Sequence, residues 1–345
     1  MSHLSFHRRR HRSPALKAAL YIGALLALPS PATLARDQAL FATTDQNPFI
    51  QIYSLPSPAE GPLPEHGRWA WQFAFDLASN AIEQEAPGGR RIVLSGETYR
   101  TSISLGYRLT ERLTTRFMAP YVAHSPGMLD GFIRDWHSVF GLTNGQRVEV
   151  ADLALEYAYT HDGDEGFAIR ERGRGLGDVR LSADYRLRAA HADDHSLVLR
   201  SGIKLPTGST SGLRGSGSTD FSIQMLSTDR MLLSRWNTTL SWMAGALWLG
   251  DAEILDTIRR DVVAVAAVGI SRPVWRGLTA RVQLDGHSAF YDSKLESLGS
   301  GAVQVTFGAS VELERGSRID FAMVQNLITD TTPDLGIHIA WRGGF

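Results

Sequence analysis

From residue 69 to residue 345 the chain repeats one pattern, in which apolar side chains fall at every second position in runs of about ten. In VRLSADYRLR, Val179, Leu181, Ala183, Tyr185 and Leu187 share one register, and Arg180, Ser182, Asp184, Arg186 and Arg188 fill the other. VQVTFGASVEL sets Val303, Val305, Phe307, Ala309 and Val311 against Gln304, Thr306, Gly308, Ser310 and Glu312. At the start of the region Trp69, Trp71, Phe73, Phe75 and Leu77 alternate with Ala70, Gln72, Ala74, Asp76 and Ala78. A period of two belongs to a strand whose faces meet different surroundings, and an amphipathic helix cannot produce it. Twelve segments read this way: 69–79, 97–109, 112–123, 175–188, 196–206, 218–228, 234–248, 260–272, 276–290, 301–314, 317–328 and 334–345. Most have at least the ~9–11 residues that a tilted strand needs to cross hydrocarbon.

The connections alternate too. Short turns fall at 110–112, 272–277 and 314–317, and the intervening links at 80–96, 124–174, 207–217, 249–259 and 291–300 are longer. Tight turns on one side and long loops on the other, with an even strand count, predict an all-β fold: a closed antiparallel transmembrane barrel of about twelve strands, both ends periplasmic. A soluble sandwich also alternates, but it gives no reason for Trp69, Tyr107, Tyr121, Tyr185, Trp236, Trp275, Trp341 and Phe345 to gather near strand ends, as interfacial girdles do. The longest apolar run of this region, VVAVAAVGI from Val262, has nine residues, far short of a membrane helix.

Ahead of the barrel, HRRRHR, the apolar AALYIGALLAL and the small-residue stretch PSPATLA make residues 1–35 an export signal. Residues 36–68, with YSLPSPAEGPLPEHG, read as a proline-rich periplasmic segment that could enter the lumen as a plug. Beyond residue 35 the chain carries 30 basic against 36 acidic residues, a formal charge of −6, so nothing favours nucleic acid. There is no cysteine, which excludes thiolate metal sites and cysteine nucleophiles. No metal or cofactor is expected.

Residues 124–174 break the alternation. Met128, Phe132, Trp136 and Val139 or Phe140 stand at helical spacing, with Asp130, Arg134 and His137 on another side, which predicts a partly helical external loop with a small hairpin. Asp130, Arg134, Asp135, Trp136 and His137 are its candidate functional residues. A hydrolase here would need a nucleophile served by a base, yet His137 and Ser138 are adjacent and diverge by about 100° on a helix. The acidic HDGDEG lacks the spacing of a calcium loop, and GSTSGLRGSGS lacks a phosphate motif. Both read as loops.

LDGFIRDWHSVFGL, GLGDVRLSADYRL and GIKLPTG resemble an exported barrel family known only as a domain of unknown function, from about Asn47 to Phe345. GLGD followed by KLPTG also resembles outer-membrane proteins proposed to pass aromatic or hydrophobic compounds. GIHIAWRGGF resembles the C-terminal signature of Gram-negative outer-membrane proteins, which implies that Trp341 and Phe345 are read by the barrel-assembly machinery. These resemblances imply a monomer in the outer membrane of a Gram-negative bacterium, in contact with its lipids. With apolar residues facing lipid, the lumen receives Arg180, Asp184, Arg186, Arg200, Arg281 and Asp285. The leading expectation is a narrow passive channel for small polar or amphiphilic solutes. A lipid-directed enzyme and a structural or surface-binding barrel with a filled lumen are the alternatives.

Overall fold

The computed structural model describes residues 40–59, 64, 66–127, 155–188, 195–313, 316–327 and 331–345. The export signal and the five loop candidates Asp130, Arg134, Asp135, Trp136 and His137 lie outside the described residues.

Fifteen strands follow in order: β1 Trp69–Ala86, β2 Arg90–Arg108, β3 Leu113–Ser125, β4 Glu156–His161, β5 Asp164–Ile169, β6 Gly173–Leu176, β7 Val179–Arg188, β8 His195–Leu205, β9 Asp220–Asp229, β10 Thr239–Trp248, β11 Val262–Trp275, β12 Leu278–His287, β13 Ala302–Glu312, β14 Arg318–Asn326 and β15 Leu335–Gly344. Twelve of them close a ring, β1-β2-β3-β7-β8-β9-β10-β11-β12-β13-β14-β15, with every pairing antiparallel and β15 returning to β1. The seam runs from Ala70 opposite Gly344 to Ser79 opposite Leu335. At its periplasmic end Trp69 and Phe345 exchange two backbone hydrogen bonds of 3.0 Å, so the terminal phenylalanine still takes part in closure. Closure matters because an unpaired N–H or C=O facing hydrocarbon costs several kcal/mol.

The apolar register faces out. Phe73, Ile103, Leu105, Phe117, Leu181, Phe221, Ile223, Val268, Phe321 and Ile339 are all exposed around the ring. An apolar surface of this extent is stable only against lipid. Tyr185, Trp236, Trp275 and Trp341 extend it to the rim that carries the short turns.

Two stretches expected to be loops are sheet. The segment 80–96 continues the first hairpin, with β1 and β2 paired from Trp69–Tyr107 up to Ala86–Arg90 and turned by Gly88 and Gly89 at φ +87° and +62°. At 18 and 19 residues these strands outrun the bilayer. Beyond the hydrocarbon no lipid face exists to impose alternation, so the sequence there loses the strand signature. HDGDEG likewise forms the tip of the β4–β5 hairpin, turned at Asp162 and Gly163 with φ +52° and +86°. Asp-Gly is a favoured two-residue hairpin turn, and that signal lay in the sequence. β4 pairs with the projecting part of β2, and β6 with the outer part of β3.

Candidate functional site: the occupied lumen

The N-terminal segment fills the barrel. Residues 40–59 enter from the periplasmic end, turn near the external end and run back, all of them within the lumen. On the way in, the Phe41 amide donates to Gln283 Oε1 at 2.7 Å, and Thr43 Oγ1 lies 3.3 Å from Thr306 Oγ1. Asp45 pairs with His287 Nε2 at 2.9 Å. Asn47 begins a single helical turn, Pro48–Gln51: its side chain accepts from the Phe49 amide, and its Nδ2 donates to Thr331 O at 2.7 Å. Proline suits that first position because its missing N–H would have no partner there. At the tip, Gln51 Nε2 donates to Leu213 O at 3.2 Å and the Tyr291 hydroxyl donates to Phe49 O at 2.7 Å. The return limb leaves past Arg108, whose Nη1 donates to Pro64 O at 3.4 Å.

The lumen has two chemically different halves. Toward the outside, Phe49, Ile50, Ile52 and Tyr53 are fully buried among Leu94, Tyr157, Leu213, Val263, Phe290 and Tyr291. Each such burial is worth about 1.5–3 kcal/mol, and together they seat the tip. Burial pushes the phenols of Tyr53 and Tyr291 above their usual range, so both stay neutral there.

Toward the periplasm the wall is charged. Asp184 takes Arg116 at 3.1 Å and Arg200 at 2.6 Å. Asp320 takes Arg342 at 2.5 Å, Arg318 at 3.2 Å and Arg281 at 4.0 Å, and the Ser310 hydroxyl donates to it as well. Five guanidiniums thus converge on two carboxylates. His338 Nδ1 meets Asp76 at 2.7 Å across the β1–β15 seam. Near the outside, Lys204 lies between Asp178 at 2.9 Å and Asp220 at 2.7 Å. Buried charges persist only with such partners.

Three of these cations, and Arg180 beside them, also reach the plug backbone. Arg281 Nη1 donates to Leu40 O at 3.4 Å, Lys204 Nζ to Ile52 O at 3.5 Å, Arg180 Nη1 to Ser54 O at 3.2 Å, and Arg200 Nη1 to Ser57 O at 3.3 Å. The Arg281 guanidinium also sits 5.6 Å from the Phe41 ring centroid, and Lys204 Nζ 5.8 Å from that of Tyr53. These contacts use plug carbonyls and ring faces, which any cation-binding group on a small molecule could replace.

Of the lumen residues picked out in the sequence, Arg180, Asp184, Arg200 and Arg281 line the interior against the plug. Asp285 faces a small cavity beside the plug, where it accepts from Gln283 Nε2 at 2.8 Å and Gln304 Nε2 at 2.6 Å. That cavity, also lined by Thr43, Pro56 and His287, holds about 20 Å³, space for one water molecule. Arg186 is separate. It sits by the last turn of β7, where its amide donates to Arg112 O, at the periplasmic rim. The alternation of KLPTG's strand puts Lys204 in the lumen register, but sequence reasoning did not single out Asp178; the two fall in KLPTG and GLGD, two of the stretches that carried the resemblance. Their 2.9 Å pair joins the two stretches in space. Asp45 and His287 carried no signal, and Asp320 and Arg342 only that of the inward register.

A family described as "Protein of unknown function (DUF3187)" matches residues 19–345. Among curated proteins none matches the chain by sequence. Among solved structures, the COG4313 outer membrane channel from Pseudomonas putida F1 is similar at TM-score 0.54 and 14% identity, covering 84% of this chain and 100% of that one. The Ralstonia pickettii toluene transporter TbuX gives TM-score 0.39 at 11% identity, covering 93% and 100%. At these identities the likeness to the first is one of fold, that of an outer-membrane β-barrel. The chain belongs to the DUF3187 family.

Proposed function

We propose that this member of the DUF3187 family is a narrow outer-membrane channel for small solutes that carry an anionic or strongly polar group, closed by its own N-terminal segment. The observation that carries the reading is the set of four wall cations, Lys204, Arg180, Arg200 and Arg281, holding plug carbonyls along the lumen. If the plug withdraws, the same side chains line a conduit at successive depths and can pass an oxyanion from one to the next. Fixed charges at close quarters select ions by sign. Residence at each stays brief because Asp184, Asp178, Asp220 and Asp320 already share the cations.

The test is the reversal potential across a planar bilayer in a salt gradient. The full-length mature protein is expected to favour anions, and Arg180→Gln to lower the anion-to-cation permeability ratio by about threefold while the barrel remains folded. That is the scale of ~0.7 kcal/mol, a modest share of a charge-assisted hydrogen bond. Unchanged selectivity would remove Arg180 from the path. Cation selectivity in the parent protein would sink the reading.

A further inference from the structure

Two glycine-rich stretches, GRG at 173–175 and SGLRGSG at 211–217, touch the plug-and-cation scheme chiefly through Leu213, which meets the plug tip. They meet at the external end of the lumen around one side chain, Arg214. On β6, Arg174 and Leu176 are exposed outward, and Gly173 and Gly175 occupy the opposite register. The Arg214 guanidinium lies across that inner face. A Cβ on Gly175 would stand 3.0 Å from its Nε, a Cβ on Gly173 would stand 3.6 Å from its Nη1, and one on Gly212 would collide with the guanidinium. Three bare backbone positions therefore shape the groove in which the side chain rests.

The loop that carries Arg214 is itself built. Asp178 accepts from the Gly208 amide at 2.8 Å and the Ser216 amide at 3.2 Å, clamping both ends. Inside the loop, the Arg214 amide donates to Ser209 O at 3.0 Å. The carboxylates nearby are occupied: Asp178 and Asp220 by Lys204, and Glu253 by the Thr210 hydroxyl at 2.6 Å. Among the described residues no carboxylate forms an ion pair with Arg214, and its buried Nε has no hydrogen-bond partner. A guanidinium held in place and left without an acceptor is poised for a ligand that brings one.

We propose that Arg214 is the external anion-recognition residue of this protein, taking the carboxylate, sulfonate or phosphate group of a small free solute at the mouth. The inner register of Gly173 and Gly175 turns the guanidinium toward the lumen, so the source is a dissolved solute and not a lipid headgroup. The adjoining Leu213 carbonyl accepts from Gln51 at the plug tip and lies 3.4 Å from His124 Nε2. A bound anion therefore sits one residue from a contact that holds the plug. The assignment deepens the channel reading and rests on it for the direction of entry, but the binding itself can be measured without current.

Saturation-transfer NMR on the folded full-length mature protein in detergent tests it, with benzoate as the anionic probe and benzyl alcohol as its neutral counterpart. Arg214→Gln is expected to weaken benzoate binding about tenfold, the scale of one charge-assisted hydrogen bond. Arg214→Lys is expected to retain part of it. Gly175→Ala, which displaces the guanidinium without removing it, is expected to act as Arg214→Gln does. Benzyl alcohol is expected to be indifferent to all three. Equal benzoate signals in the parent and Arg214→Gln proteins would overturn the assignment, as would a parallel loss of both probes. A silent bilayer with intact benzoate binding would remove the channel reading and leave this site standing.

Discussion

Oxidising a Thr43→Cys/Thr306→Cys double variant is expected to abolish conductance in a planar bilayer, and dithiothreitol is expected to restore it to the level of the parent protein. The two hydroxyl oxygens lie 3.3 Å apart on the plug and on β13, so paired cysteines need only a small shift to reach disulfide geometry. The chain has no cysteine of its own, so the engineered pair has no competitor. A second variant lacking 40–59 is expected to conduct continuously, since its removal empties the lumen of every contact from Leu40 to Ala59. The two variants bracket the mechanism. If the locked protein conducts as well as the reduced one, solutes pass without plug movement. If the parent, the reduced and the deleted proteins are all silent though folded, the barrel is a structural one with a filled lumen.

Asp320→Asn is expected to cost about 3–5 kcal/mol of stability, the usual penalty for leaving buried charges without their partner. Asp320 is almost fully buried and takes Arg281, Arg318 and Arg342. The amide keeps the size but removes the charge, so three guanidiniums would repel one another inside the wall. The fall should appear as a lower urea midpoint and a lower temperature for loss of the compact band on unheated gels. Ser310→Ala, which removes one neutral donor to the same carboxylate, is expected to cost only about 1 kcal/mol. Equal effects from the two would show that the site depends on packing and not on charge balance.

The sequence revealed the barrel because lipid imposes a local rule. Every second side chain in a spanning strand must be apolar, and that rule can be read within ten residues, as in Val179–Arg188. The same rule placed Arg180, Asp184, Arg200 and Arg281 in the lumen, since each occupies the register opposite Leu181, Tyr185, Leu199 and Val282. It failed wherever lipid was absent. The projecting part of β1 and β2 stands in water and looked like a loop, as did HDGDEG, which forms the tip of the small hairpin expected in 124–174.

The plug obeyed no local rule at all. Its proline content suggested extended chain, but its partners are remote: Phe41 meets Gln283 across 242 positions and Asn47 meets Thr331 across 284. No spacing in a segment of twenty residues encodes such contacts. Ion-pair partners are equally hidden, because an arginine facing inward can be matched only once the neighbouring strands and the plug are in place. Asp320 gathers Arg342 from β15 and Arg281 from β12, on either side of its own strand. The amino-acid sequence by itself determined that this chain closes a twelve-stranded barrel with an apolar exterior, because the bilayer reads each strand separately. Only the tertiary structure decided what fills the barrel and which charges face one another, because those choices are made between elements far apart in the chain and depend on the closed ring that brings them together.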